Sequence, residues 1–364
     1  MNFYSKAIVH IPLEWGAKWT LWRVDLDTHF FYLCEKNEVK HLTILVPVGE
    51  NNLSSIVGAY KIFSRANEYW KKTGKKELFQ IELAGISKKI DFYNGLFSAN
   101  PHTHILAIKK TDLIIIPSLN HNYNKTVKKN RSLIQWIEKQ YKHGAEIASI
   151  CTGAFLLASS GLLDGKICST HWSAADNLRT MFPKINVQTD KLITDENGIY
   201  TNGGAYSFLN LIIYLIEKYY DRQTAIFCSK VFQIEMDRQS QSAFIIFKGQ
   251  KLHDDEVVKK AQTYIEDHVD EKISIEHLSS KLAVGRRNFD RRFIRATGNT
   301  PIEYSQRVKI ESAKKAFEAT RKTINEVMYD VGYSDVKAFR EVFRKITGMS
   351  PLEYRSRYNK AAIV

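Results

Sequence analysis

The sequence of 364 residues predicts two folds in one chain: a doubly wound α/β domain, followed by an all-α domain with two helix-turn-helix units. Two observations predict this division. From residue 41 to about residue 220, strand-like and helix-like segments alternate with short connections, which is typical of a parallel sheet covered by helices on both faces. After Asp254 no convincing strand follows, and glycine and proline residues separate helical segments up to the end.

Short runs of apolar and β-branched residues predict the strands. The clearest is Asp112–Pro117, whose sequence DLIIIP is typical of a strand buried on both faces. The other strands are expected at Leu42–Val48, Phe79–Leu83 and Glu146–Ile150, with weaker ones at Lys166–Ser169, Asn186–Thr189 and Ile199–Thr201. Helical spacing predicts helices at Ser54–Lys72, Thr126–Tyr141, Ala154–Ser160 and Tyr206–Tyr219.

The predicted boundaries divide the chain into four parts. Residues 1–40 are an aromatic-rich extension, either an added β-rich piece or a segment outside the fold, and residues 41–221 form the α/β domain. Residues 222–253 form a bridge with a helix and a polar run, and residues 254–364 form the helical domain. No apolar stretch approaches the roughly 18 residues of a membrane span and no signal-peptide pattern is found, so we expect a cytoplasmic protein.

The net charge of +14 is concentrated in one part of the chain. From Lys272 to the last residue, twenty Lys and Arg accompany ten Asp and Glu, so about a quarter of the chain carries most of the excess. A merely soluble basic protein is the alternative, but the uneven distribution favours a surface that binds nucleic acid. The four cysteines are too few and too scattered for a disulfide framework or a zinc site, so we predict no metal and no cofactor.

Two segments of the helical domain have a short helix, a tight turn and a basic second helix, as helix-turn-helix units do. The units are Ile275–Ala283, Val284-Gly285 and Arg286–Ala296, then Ile324–Val331, Gly332-Tyr333 and Ser334–Thr347. Their endings match at a spacing of about 50 residues, which is hard to explain as chance. A long helix at Ile302–Ala319 would hold the two units apart, so that the second helices could enter successive segments of the DNA major groove.

The same domain resembles a known family. Its matching stretches are Asn288-Phe289-Asp290-Arg291-Arg292-Phe293, Thr297-Gly298-Asn299-Thr300-Pro301-Ile302-Glu303-Tyr304, Val331-Gly332-Tyr333-Ser334-Asp335, Phe339-Arg340-Glu341-Val342-Phe343 and Gly348-Met349-Ser350-Pro351-Leu352-Glu353-Tyr354-Arg355. Through them residues 254–359 resemble the DNA-binding domain of the AraC/XylS family of bacterial transcription factors. In that family, exposed residues of the two second helices read bases.

The resemblance and the outward positions imply DNA-binding roles for Arg286, Arg287, Asp290 and Arg291 in the first unit, and for Val336, Lys337, Ala338, Arg340, Glu341 and Arg344 in the second. The phenylalanines of both second helices are expected in the core. Glu341 stands where an arginine is common in the family. A carboxylate there repels phosphate, and it could accept from a cytosine amino group or avoid the DNA. We therefore expect the second unit to be the less sequence-specific one.

In the α/β half, Ser149-Ile150-Cys151-Thr152-Gly153 places a cysteine between a buried strand and a helix. This is the organisation of a nucleophile elbow, in which the helix end would favour the thiolate. The alternative is a small apolar residue packed at a turn. The stretches from Cys151 to Ala158, Gly161-Leu162-Leu163-Asp164-Gly165 and Thr170-His171-Trp172 resemble the DJ-1/PfpI group of class I glutamine-amidotransferase-like domains, above all the subgroup fused to AraC-type domains.

Enzymes of that group carry an acidic residue near the cysteine, and some place a histidine where His171 stands. Here Ser55 occupies the acidic position, and Glu50 lies nearby but out of register. Without that carboxylate a proton-transfer partner is missing. The resemblance thus implies a ligand-binding or oxidant-sensing pocket, composed of Glu50, Ser55, Cys151, Thr152 and His171, at the carboxyl ends of the strands. Cys151 and His171 remain the candidates for catalysis.

Three interpretations follow. The leading one is a DNA-binding transcription factor with a non-catalytic sensory domain. It implies double-stranded DNA, an unknown small-molecule effector, RNA polymerase and a second copy of the chain as partners, and no membrane. In the second, Cys151 retains chemistry such as hydrolysis, hydration or deglycation. The third, an enzyme with a helical appendage, requires the basic repeat to be a coincidence.

Overall fold

The structure is a computed structural model that describes residues 39–120, 122–238 and 240–359. Nearly all of the predicted extension, residues 1–38 of 1–40, lies outside these residues. The α/β domain contains β1 (Lys40–Val46), α1 (Leu53–Lys72), β2 (Phe79–Gly85), β3 (Ile90–Phe92), β4 (Phe97–Ala99), β5 (Thr103–His104), β6 (Leu113–Ile116), α2 (Tyr123–Lys129), α3 (Arg131–Lys142), β7 (Glu146–Ser149), α4 (Ala154–Ser159), β8 (Ile167–Cys168), α5 (Ala175–Met181), β9 (Asn186–Val187), β10 (Ile193–Glu196), β11 (Ile199–Asn202), α6 (Phe208–Tyr219) and α7 (Arg222–Phe232).

The main sheet has seven strands in the order β10-β11-β7-β6-β1-β2-β5. All neighbours in it run parallel except β10 and β11, which confirms the predicted doubly wound sheet. Strand β6 shows why such a sheet needs two covering layers. Leu113 and Ile115 belong to the apolar cluster formed with α1, α6 and α7, whereas Ile114 and Ile116 belong to the cluster formed with α3 and α4. All four side chains are fully buried.

The predicted helix Thr126–Tyr141 is wrong as a single helix, because α2 and α3 are separated at Asn130. The buried Asn130 side chain accepts a hydrogen bond from the Val48 backbone nitrogen and donates one to the Val48 carbonyl, both at 2.8 Å. The side chain thereby satisfies the backbone just beyond the end of β1, where no neighbouring strand is available. The interruption between α2 and α3 places the Asn130 side-chain amide beside Val48, just beyond the end of β1.

Strands β3, β4, β5 and β10 are not among the predicted ones. Strands β10 and β11 form an antiparallel hairpin whose turn is Asn197-Gly198, with φ of 54° and 73°. Asn-Gly is the sequence signal of a tight hairpin turn, because both residues tolerate positive φ. The sequence therefore contained the signal for this hairpin, although strand β10 was not predicted. The predicted strands near Lys166 and Asn186 exist as β8 and β9, but they pair with each other outside the main sheet.

The predicted bridge, residues 222–253, divides between the two domains. Helix α7 packs onto the α/β core, where Ala225 and Cys228 are fully buried. The segment after it remains on the α/β domain as far as Gln241, which bonds to the Thr170 carbonyl, and packs onto the helical domain from Ile245 onward. There Phe247 contacts the ring of Tyr304 edge-on at 5.2 Å between centroids, and its backbone nitrogen donates to Glu311 at 3.1 Å.

The helical domain contains α8 (Glu256–Asp267), α9 (Ile275–Lys281), α10 (Arg286–Thr297), α11 (Pro301–Ala319), α12 (Ile324–Asp330), α13 (Val336–Thr347) and α14 (Pro351–Tyr358). It has two apolar cores. One joins α8, α9 and α10 to Tyr304 near the start of α11. The other joins α12, α13 and α14 to Ile310, Ala313 and Phe317 further along α11. The two predicted helix-turn-helix units are therefore four-helix modules that share α11.

Candidate DNA-binding surface and cysteine elbow

The two modules repeat each other down to single hydrogen bonds. At the end of α10, the Thr297 hydroxyl donates to the Phe293 carbonyl at 2.8 Å, and at the end of α13 the Thr347 hydroxyl donates to the Phe343 carbonyl at the same distance. Each helix then stops at a glycine with positive φ, Gly298 or Gly348. Glycine is required there because the left-handed backbone costs other residues energy.

The next helix of each module also begins in the same way. Thr300 and Glu303 form a capping box at the start of α11, as Ser350 and Glu353 do at the start of α14, and each helix has proline at its first position. One turn later a buried tyrosine donates to a glutamate at 2.5 Å. The pairs are Tyr304 with Glu266 and Tyr354 with Glu318.

The turns between the paired helices differ. We predicted the tight turn of the first unit at Val284-Gly285, but Gly285 has a φ of −59° and caps the start of α10. The residue in the left-handed region is Ala283, with a φ of 54°, where the second unit has Gly332 at 71°. A β-carbon on Gly332 would lie 2.4 Å from the Asp270 carbonyl oxygen, so glycine is required in the second unit.

The predicted DNA-binding residues of α10 do not form one free basic surface. Arg286 is held by two carboxylates, because its Nε donates to both oxygens of Asp290, at 2.9 and 3.1 Å, and its Nη1 pairs with Glu276. Asp290 is thus engaged by its own helix, and it orients Arg286. Arg287 and Arg291 are exposed, and Arg291 donates to Asn288 at 3.1 Å. In the described residues, neither Arg287 nor Arg291 forms an ion pair with a carboxylate.

On α13, the candidates Lys337, Ala338, Arg340, Glu341 and Arg344 are exposed, whereas Val336 is half-buried against the core. With an offset of 50 residues, the exposed faces of the two helices correspond position by position. Arg287 matches Lys337, Asp290 matches Arg340 and Arg291 matches Glu341. The second unit thus carries a carboxylate where the first carries an exposed guanidinium.

Arg292 is a further basic residue of α10, but it serves the fold. It donates two hydrogen bonds to Asp255, at 2.8 and 2.7 Å, and the same carboxylate caps the first turn of α8. The bonds from Arg292 hold the pKa of Asp255 below its usual range. Arg292 is therefore engaged within the protein and is not among the free cations of this face.

Lys309 of α11 connects the two modules. Its buried ammonium donates to the carbonyls of Val269 at 2.5 Å, Glu271 at 2.8 Å and Val331 at 2.8 Å. The first two belong to the α8–α9 loop, and the third ends α12. Burial lowers the pKa of Lys309, and Asp270 and Glu271 partly offset that effect. One side chain thereby fixes the turn of the second unit against the first.

In the α/β domain, Cys151 has a φ of 55° and opens a 3-10 turn, Cys151–Gly153, that leads into α4. This left-handed backbone directly after a parallel strand is the geometry of a nucleophile elbow. Gly153 has an ordinary φ and is needed for another reason, because a β-carbon there would lie 2.7 Å from the Pro117 carbonyl oxygen. Cys151 is 5% exposed and belongs to the apolar cluster beneath α6.

The residues beside the cysteine are engaged in structural hydrogen bonds. Ser55, at the position of the acid, is fully buried; it donates to the Asn52 carbonyl at 2.7 Å and accepts from the Ser118 backbone nitrogen. Thr152 bonds to both backbone groups of Leu119, at 2.6 and 2.9 Å. Neither side chain can take the place of a carboxylate in proton transfer.

His171 and Glu50 lie in two different cavities, so the structure does not bring the five predicted pocket residues together. The His171 ring bonds to Ser173 at 2.7 Å and lies against Gly204, and the cavity beside it includes Tyr206 and Phe244. Burial lowers the pKa of His171 and so favours the neutral ring. Glu50 is exposed and lines a cavity with Tyr93 and Asn120.

Two other cysteines of the domain are unsuited to thiol chemistry. Burial raises the pKa of Cys168 to about 12 and that of Cys228 to about 11. Within the described residues, no cluster of three or more His, Cys, Asp or Glu side chains could hold a metal ion. In the same part of the chain, no helix has the length and apolar character needed to cross a membrane.

Comparison with known proteins finds a matching family for each of the two domains. Residues 81–218 match the DJ-1/PfpI family, and residues 278–357 match a family of helix-turn-helix domains. The chain therefore combines a DJ-1/PfpI-type domain with a helix-turn-helix domain of the AraC type.

The relatives include two regulators of Pseudomonas aeruginosa. The HTH-type transcriptional regulator GbdR is 24% identical over 226 residues, which cover 62% of this chain and 61% of GbdR. The HTH-type transcriptional regulator CdhR is 23% identical over 265 residues, which cover 72% of this chain and 77% of CdhR. The match to GbdR thus spans less than two thirds of that protein. Among solved structures, an AraC family transcriptional regulator from Pseudomonas putida is 18% identical, with a TM-score of 0.45 over 53% of this chain and 99% of its own.

Proposed function

We propose that the chain is a sequence-specific DNA-binding transcription factor that regulates transcription, and that its α/β domain is a non-catalytic sensor. The observation that carries the DNA-binding part is the repeated module, in which the same scaffold presents α10 and α13 with exposed basic residues. Because α11 is shared and Lys309 fixes the second turn against the first module, the two helices keep a constant spacing. A constant spacing suits successive major-groove segments on one face of DNA.

The test is selection of binding sites by the full chain from random double-stranded DNA. We expect an enriched sequence in which the positions read by the first unit are the better defined ones. The double variant Arg287→Ala and Arg291→Ala should lose the enrichment, whereas Arg131→Ala, an exposed arginine at the start of α3, should retain it. A chain that binds all sequences alike would contradict the proposal.

Three observations support a sensor without turnover. Ser55 replaces the acid and is engaged by backbone groups. His171 bonds to Ser173, and no hydrogen bond links it to Cys151 in the described part of the chain. Cys151 is buried in an apolar cluster. The alternative is a bifunctional protein. It predicts hydrolysis, hydration or deglycation by the full chain that disappears in Cys151→Ala, and such turnover would overturn the non-catalytic proposal.

The role of the thiol in sensing is tested separately. Cys151→Ala is compared with Cys168→Ala, which changes a fully buried cysteine whose pKa is raised by burial to about 12. If Cys151 senses an oxidant or an electrophile, only the first variant loses regulated transcription. Regulation that persists in Cys151→Ala under every inducing condition would remove the thiol from sensing and leave reversible ligands.

The remaining partners are part of the same proposal. A regulator of this kind acts on promoter DNA in the cytoplasm, with RNA polymerase as a further contact and a homodimer as its assembly. Sedimentation of the full chain with and without DNA tests the dimer, and a monomer in both conditions would contradict it.

A further inference from the structure

A cavity of about 330 Å³ lies between the two domains and contains none of the five residues of the predicted pocket. One wall is α5 with the segment 187–190 of the α/β domain. The other wall is residues 297–299 with Arg307 of α11, and residues 245–250 of the connecting segment close the cavity. Ligand pockets for small molecules occupy roughly 300–1,000 Å³, so the volume suits a small metabolite.

Two arginines face this cavity from opposite domains, and both are held in place. Arg179 of α5 donates to Asp176 at 2.8 Å and to the Val187 carbonyl at 3.0 Å. Arg307 donates from Nε to the Asn299 side-chain oxygen at 3.0 Å. The Asn299 amide nitrogen is bonded in turn to Gln250 at 3.2 Å. Such anchored guanidinium groups lose little freedom when they bind an anion.

Asp176, Asp190, Arg179, Lys248 and Arg307 all line the cavity, so positive charge exceeds negative charge by one, and among the described residues Arg307 forms no ion pair. Asp176 is paired with Arg179, but the two terminal nitrogens of Arg307 have no hydrogen-bond acceptor among the described residues. Burial lowers the pKa of Arg307, and Arg179 lowers it further, while Glu303 and Asp190 offset part of the effect. A half-buried guanidinium with free donors beside a second guanidinium is a setting in which an oxyanion is favourable.

We propose that this cavity binds a small metabolite through a carboxylate or phosphate group held between Arg307 and Arg179. A ligand that contacts both walls stabilises this arrangement of the domains over any arrangement in which the walls separate. Binding would thereby be coupled to the pose of the helical domain on DNA. This regulatory consequence rests on the proposed function, whereas the binding site itself does not.

The experiment measures anion binding by the full chain in the absence of DNA. The probes are succinate and inorganic phosphate, with sodium chloride at matched ionic strength as the reference. Anion binding to the folded state raises the midpoint of thermal unfolding in a concentration-dependent manner. Trp172 lines the cavity, so tryptophan fluorescence should report the same binding curve and lose the signal in Trp172→Phe.

We expect at least one probe to bind, and Arg307→Gln to weaken that binding by roughly tenfold or more. Arg131→Gln, which removes an exposed arginine of α3, should bind like the unmodified chain. A response to succinate alone identifies a carboxylate ligand, and a response to phosphate alone identifies a phosphate ligand. No response beyond sodium chloride, or equal binding by Arg307→Gln, would overturn the site.

The failure of this site and the failure of the proposed function are distinguishable. Arg307→Gln should bind the selected DNA as well as the unmodified chain when no anion is present. If no DNA sequence is selected but the anion still binds through Arg307, the transcription-factor proposal fails and the site stands. If a DNA sequence is selected but Arg307→Gln leaves anion binding unchanged, the anion site fails and the transcription-factor proposal stands.

Discussion

The two helix-turn-helix modules have the same interior and different exteriors. The phenylalanines, the threonine bond at the end of the second helix, the capping box and the buried tyrosine recur at an offset of 50 residues. The turn residue, the cap of the second helix and the exposed face do not recur. Ala283 stands against Gly332 at an offset of 49, because the turn of the first unit is one residue shorter. At the offset of 50, Gly285 stands against Asp335 and Arg291 against Glu341.

This difference shows which positions packing restricts. A close-packed interior tolerates little change of volume or hydrogen bonding, so both modules retain the same solution. On the exposed faces, Arg287, Lys337 and Glu341 form no side-chain hydrogen bond or ion pair among the described residues. These positions can therefore differ between the modules at little cost to the fold. We therefore expect changes in the shared interior to affect stability, and changes on the two faces to affect DNA binding unequally.

The largest change in stability is expected on substitution of Lys309, the residue that joins the two modules. Lys309→Met leaves the carbonyls of Val269, Glu271 and Val331 without their shared donor. We expect the free energy of unfolding of the helical domain to fall by about 2–4 kcal/mol, measured by urea denaturation with circular dichroism. The matched control is Lys315→Met, an exposed lysine of the same helix. Equal losses in both variants would show that Lys309 contributes only its charge.

Substitutions at the left-handed residues of the two turns should change stability in opposite directions. Gly332→Ala forces a left-handed alanine, at about 1–2 kcal/mol, and adds a clash with the Asp270 carbonyl. Ala283→Gly relieves a left-handed alanine and should stabilise by less than about 1 kcal/mol, because glycine also gains freedom in the unfolded chain. Thermal unfolding of both variants tests this, and a loss in Ala283→Gly would refute the strained-alanine interpretation.

On DNA, Arg287→Ala should lower affinity for the selected site by about 1–3 kcal/mol and relax the sequence preference at one position. The corresponding change Lys337→Ala should weaken binding to all sequences alike, and should reduce the slope of log affinity against log salt by about 1. Titrations of specific and random duplexes at several salt concentrations separate the two outcomes. If both variants change sequence preference, the second unit also reads bases.

The smallest change in DNA affinity is expected at Glu341, which stands where the first module has Arg291. Glu341→Gln removes a carboxylate beside phosphate and should raise affinity for every duplex by less than about 1 kcal/mol. Arg291→Gln should lower it. Fluorescence anisotropy with the selected duplex and with a random one measures both. An affinity loss in Glu341→Gln that is confined to the selected duplex would instead assign Glu341 to a cytosine amino group.

The sequence predicted the features that depend on local pattern. The run Leu113–Ile116 indicated a strand buried on both faces, and its side chains do alternate between two apolar layers. The basic repeat indicated two modules, and the duplicated helix ends show how far the repeat extends. The hairpin at Asn197-Gly198 was also within reach, because its turn residues are characteristic.

Other features depend on partners that are remote in sequence. The break at Asn130 exists because its side chain bonds to Val48, which lies 82 residues earlier in the chain. The predicted pocket placed Glu50 and His171 beside the cysteine, whereas the loops carry them into two separate cavities. No local pattern encodes such placements, because each depends on where the whole chain brings a loop.

The sequence by itself therefore determined the two folds, their order, the repeated module and the cysteine at the end of a strand, since periodicity, turn residues and charge are local properties. Only the tertiary structure decided that Lys309 joins the modules and that Arg179 and Arg307 face one cavity. Those arrangements arise from contacts between distant segments, and the geometry of such contacts is set by packing of the entire chain.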